Sequence, residues 1–123
     1  MSEHIEKRGF TRVPLPFPAR VLYKSSVLEC DQGMDVSARG ISVQTEKRPK
    51  EGTLCTVEIL LGEALMITAK GMVARHSDTG FAVEFHEIGR ESFELLKDLV
   101  RFNADDPDAV DREFCQHLGL ASG

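Results

Sequence analysis

Two short strings in this chain place chemistry-bearing side chains at useful spacings: Arg8-Gly-Phe-Thr-Arg12, and Asp35-Val-Ser-Ala-Arg-Gly40. The first sets two guanidinium forks four residues apart, and such forks match phosphate oxygens and the O6/N7 edge of guanine bidentately. The second sets a carboxylate, Asp35, and a hydroxyl, Ser37, at i and i+2, which on a strand share one face. Gly40 then supplies a position where a ligand could approach the main chain closely. Together the strings read as two halves of a pocket for a guanine-bearing phosphodiester.

Each string alone has a plainer reading. Arg8 and Arg12 fit a solvated basic arm, and Asp35 and Ser37 fit a strand-turn whose side-chain oxygens satisfy backbone donors, with Gly40 at positive φ. The order of the two, an extended arm followed by a strand, favours the joint reading.

The elements that must position these residues fit in one domain, because 123 residues can bury a single core and little more. Residues 1–50 hold nine Lys/Arg against six Asp/Glu, whereas residues 51–123 hold six against fourteen, so the half with the two strings is the anion-friendly one. Seven Phe, one Tyr, no Trp and a net charge of −5 disfavour a long nucleic-acid track, which wants a basic stripe and stacking aromatics. Cys30, Cys55 and Cys115 are odd in number and without CxxC spacing. They are therefore read as reduced thiols in a cytoplasmic protein. No signal-peptide core or membrane span is expected, since Glu58, Gly62 and Glu63 interrupt the longest apolar stretch.

Residues 1–18 read as an arm and Pro-rich connector, with Pro14, Pro16 and Pro18 alternating with Leu15 and Phe17 in a polyproline-like pattern. From Arg20, period-two patterning predicts strands at 20–24, 27–30, 34–37, 41–45, 54–61, 65–75 and 81–85, with turns at 31–33, 47–52, 62–63 and 77–80. Gly71 marks a bulge or a close contact inside one of them. Such short antiparallel strands predict a small closed barrel of about six strands. Phe93, Leu96, Leu99 and Val100 then recur at helical spacing from Arg90 to Phe102. Asp105-Asp106-Pro107 starts a second helix through Leu118, ended by Gly119.

With these residues in view, the chain resembles the PilZ domain family, bacterial receptors for cyclic di-GMP whose motif is RxxxR followed by [DN]xSxxG. Arg8 and Arg12 match the first part; Asp35, Ser37 and Gly40 match the second. The resemblance continues through Thr79–Phe85 and covers about residues 5–102. It implies a mainly β fold, a six-stranded antiparallel β-barrel over residues 19–102 with its packing helix, preceded by a flexible N-terminal arm over 1–18; the acidic C-terminal helix and tail over 103–123 lie outside the shared core. The ligand would lie across the outer barrel surface under the arm.

On that reading Arg8 and Arg12 grip phosphate or guanine O6/N7 and stack on a base, which lysine could not do equally. Asp35 accepts from guanine N1–H and the exocyclic amine, an edge adenine lacks. Ser37 adds an adaptable hydrogen bond, and Gly40 admits the ligand. Lys7 and Arg39 are secondary ligand candidates. In this family the residue before RxxxR, here Lys7, is thought to influence whether one ligand or a stacked pair binds. The arm is expected to order on binding and to pass the signal to an unidentified effector protein, because the chain has no output domain.

No catalytic residue, metal site or cofactor is expected. His4, His76, His86 and His117 lack ligand spacing, and no GxSxG or Cys/His pair occurs. Neither nucleic-acid binding nor membrane insertion is expected. Two other readings stand beside the receptor: an adaptor of the same fold that works without nucleotide, and a split-barrel flavin enzyme, for which no separate phosphate cluster is found.

Overall fold

The computed structural model describes residues 10–31 and 34–117. Part of the turn expected at 31–33 and the helix end expected at Leu118-Gly119 lie outside them. The described residues form eight strands and two helices. The strands are β1 (Val13–Pro14), β2 (Ala19–Tyr23), β3 (Ser26–Cys30), β4 (Asp35–Val36), β5 (Gly40–Gln44), β6 (Leu54–Leu60), β7 (Met66–His76) and β8 (Gly80–Ile88). The helices are α1 (Arg90–Asn103) and α2 (Pro107–His117). All pairings are antiparallel, and the sheet runs β1-β4-β5-β8-β7-β6-β2-β3.

Alternation puts one face of each strand in the core, because successive side chains on a strand point to opposite faces. Val57 and Ile59 of β6 lie opposite Ala69 and Ile67 of β7, and Val73 lies opposite Val83 of β8, all buried. Phe85 is opposite Gly71, so a large ring meets a position with no side chain. A Cβ on Gly71 would fall against the Glu84 carbonyl, so the expected close contact is present. A register shift at Lys70/Gly71 accompanies it. Leu65, expected to face inward at the start of this strand, is instead exposed in the turn before Met66.

Two expectations about the sheet need correcting. Eight strands form instead of six, and no ladder among the described residues joins β1 to β3. The result is a curled half-barrel, not a closed one. The extra count comes partly from the expected connector. Val13 and Leu15 are only 2% and 6% exposed, and Val13–Pro14 pairs with Val36 and Asp35. Proline is tolerated there because β1 is an edge strand with one neighbour. The Leu15 N–H continues the attachment by donating to the Met34 carbonyl at 2.8 Å.

Helix α1 packs its apolar stripe on the sheet with Leu96 and Val100 fully buried, and the Ser92 hydroxyl accepts from the Thr68 N–H of β7 at 3.0 Å. Asp106 caps α2 by accepting from the Ala109 N–H at 3.2 Å, three residues on, as an N-cap carboxylate does. Val110 and Phe114 bury α2 against α1, with Phe114 edge-on to Phe93 at 5.7 Å, and Arg101 pairs with Asp111 at 2.8 Å. No helix among the described residues is long and apolar enough to cross a membrane.

Of the cysteines, Cys115 is exposed, whereas burial raises the Cys30 thiol, helped by Asp31, and pushes the Cys55 thiol up to about 11. At pH 8 a thiol reagent should therefore label Cys115 quickly and the other two only on unfolding. The Cys55 thiol ionises from about pH 9.0 in the unfolded chain but only near 11 when folded. Its contribution to stability is thus intact below pH 9.0 and should decline between the two values, as denaturant titrations across that range would show.

Candidate functional site

The pairing of β1 with β4 brings the two strings together. Val13 opposite Val36 and Pro14 opposite Asp35 fix the register, and Arg12 is the next residue upstream. Val13 and Val36 point into the core, so Arg12 and Asp35 stand exposed on the outer face. Both line a cleft of about 210 Å³ whose other walls include Ser37, Arg39 and Gly40. Arg8 and Lys7 lie outside the described residues.

Ser37 and Gly40 line the cleft and also serve the fold. Ser37 is only 6% exposed, and its hydroxyl oxygen accepts from the Arg39 N–H at 3.0 Å while its own N–H donates to the Gly40 carbonyl at 2.9 Å. This is the plainer reading made from the sequence, a side chain that closes the β4–β5 turn. The hydroxyl proton remains able to donate into the cleft. Gly40 does not have positive φ. A Cβ there would run into the Val83 carbonyl of β8, so the absence of a side chain lets the neighbouring strand approach.

Arg39 leans toward Glu84, with Nε 3.6 Å from the carboxylate and its side chain 56% exposed. At that exposure the pair holds the guanidinium weakly and leaves it free to exchange partners. The Asp35 carboxylate has no hydrogen-bond or ion-pair partner among the described residues, so its oxygens are open acceptors. The cleft also contains Arg75 of β7, which reading the sequence missed. Its signal was available: strict alternation from Ile67 through Val73 places a charged Arg75 on the buried phase, a conflict that announces a bulge.

A second tie holds the segment carrying Arg12. Glu113 of α2 accepts from the Thr11 N–H at 2.9 Å and from the Thr11 hydroxyl at 2.8 Å, across 102 positions of sequence. Thr11 sits inside the RxxxR string, so the helix beyond the barrel grips the same segment. The arm expected to run free through Pro18 is therefore anchored from Thr11 onward. No group of His, Cys, Asp and Glu among the described residues could hold a metal ion.

An antiparallel half-barrel with guanidinium groups and an open carboxylate on its outer face describes a small binding domain. The sequence matches the PilZ domain model over residues 6–102 of 123, and the chain belongs to that family. PilZ domains are binding and adaptor modules, not catalysts; they are known for cyclic di-GMP binding and for acting on effector proteins. Comparison with curated proteins gives no significant match.

Two outcomes follow from this geometry. Gly40→Ala should lower stability by about 2 kcal/mol or more without any ligand present, since the added carbon overpacks against backbone; a shift in the urea midpoint reads it. Glu113→Ala should speed hydrogen exchange of the Thr11 amide roughly tenfold, the worth of one charge-assisted bond, while core amides keep their protection.

Proposed function

We propose that this chain is a receptor for cyclic di-GMP and transmits the ligand's presence to a partner protein. The observation that carries this reading is the convergence of Arg12 and Asp35 on one outer cleft across the β1–β4 pair. A guanidinium for phosphate and an open carboxylate for the donor edge of guanine thus face the same space. Family membership supports the ligand class.

Arg12 and Arg8 bind phosphate or the O6/N7 edge of guanine. Asp35 selects guanine by accepting from N1–H and the exocyclic amine. Cyclic di-AMP leaves that carboxylate facing a mismatched edge and is rejected. Ser37 and Arg39 contribute a hydroxyl donor and a movable cation, and Lys7 adds attraction for phosphate. Thr11 is already held by Glu113, so the contacts need not overcome the entropy of ordering the chain at that point.

Calorimetric titration with cyclic di-GMP beside cyclic di-AMP and GTP tests the reading. Only cyclic di-GMP should bind tightly, and Arg12→Ala or Asp35→Ala should each lose on the order of 2–5 kcal/mol, the range for truncating one side of a buried charged contact. Unchanged affinity in both variants removes the pocket. Partner capture indifferent to cyclic di-GMP would instead favour an adaptor that works without nucleotide.

A further inference from the structure

The outer face of the half-barrel has a continuous row of residues across four strands. Asp35 of β4 lies opposite Ser42 of β5, Ser42 opposite Ala82 of β8, and Ala82 opposite Arg75 of β7. The row therefore has a carboxylate at one end, a guanidinium at the other, and two small side chains between. Three strand spacings separate its ends, about 14 Å. All four residues line the cleft, together with Arg12.

Arg75 reaches this row through a bulge. Val73 pairs with Val83, but Arg75 pairs with Ala82, so Ala74 is an extra residue on β7. Ala74 and Arg75 are consecutive and both exposed, whereas unbroken alternation would turn Arg75 into the core beside Val73. A bulge commonly re-aims a side chain in this way beside a binding site. Arg20, Arg39 and Arg101 each pair with a carboxylate, at 2.9, 3.6 and 2.8 Å. Arg75 has no such partner among the described residues, so its charge is unused by the fold.

We infer that Arg75 is a further ligand-binding residue, outside the two sequence strings, whose guanidinium holds a phosphodiester of the cyclic dinucleotide. This rests on the receptor reading above. A guanine whose donor edge meets Asp35 lays its flat face over Ser42 and Ala82, where no bulky side chain obstructs it. Its sugar-phosphate then extends toward β7, where Arg75 is the available cation. Phosphate is thus gripped from two sides, by Arg12 just before β1 and by Arg75 from β7.

Titrations of the full chain with cyclic di-GMP, comparing wild type with Arg75→Gln, Arg75→Lys and Arg12→Ala, test the inference. Because Arg75 is exposed, all Arg75 variants should melt as the wild type does. Arg75→Gln should weaken binding about tenfold or more, the value of one charge-assisted contact. Arg75→Lys should recover most of the loss, since a phosphate accepts a point charge where a bidentate base contact does not. Wild-type affinity in Arg75→Gln beside weak binding by Arg12→Ala overturns the role of Arg75 and leaves the receptor reading intact. A lysine variant as weak as the glutamine one overturns the phosphate contact. No binding by the wild-type chain overturns both readings.

Discussion

Everything at the site depends on a two-residue ladder. Val13–Pro14 against Asp35–Val36 pairs only two residues from each strand, yet it makes the cationic segment and the carboxylate neighbours. Its strength comes from what it buries. Val13, Leu15 and Val36 all face the core, so peeling β1 away would expose three apolar side chains, each worth about 1.5–3 kcal/mol of burial. The Leu15 bond to Met34 and the Thr11 contacts with Glu113 reinforce the two ends of the same segment. The candidate site and the core are thus joined in one stretch of chain, with side chains alternating between the outer cleft and the interior.

Much of this was legible in the sequence. The inward sets Val57/Ile59, Ile67/Ala69/Val73 and Phe81/Val83/Phe85 follow from period-two patterning, and the helix from Arg90 follows from its apolar stripe. The capped start at Asp106-Pro107 was equally readable. The misses have physical causes. Prolines alternating with Val13, Leu15 and Phe17 suit a polyproline segment and an edge strand alike, since both use the same region of backbone space. Closure of the barrel depends on long-range pairing that no local pattern specifies.

At the candidate site the types of residue were readable but some of their duties were not. Gly40 stands in the motif, yet what occupies the space of its absent side chain is the backbone of β8, a contact visible only once the strands are in register. Ser37 likewise spends its oxygen on the Arg39 amide. Arg75 was hidden for the opposite reason. It belongs to no local string, comes from the acidic half of the chain, and joins the cleft only through the skipped residue at Ala74.

The carboxylate of Glu113 has a consequence for where this domain ends. The family match stops at residue 102, but the residue that anchors Thr11 lies eleven positions later, on a helix packed through Phe114. A protein trimmed at the family boundary would keep its sheet while its leading edge lost a moor. The folded unit that holds Thr11 in place is therefore longer than the family match.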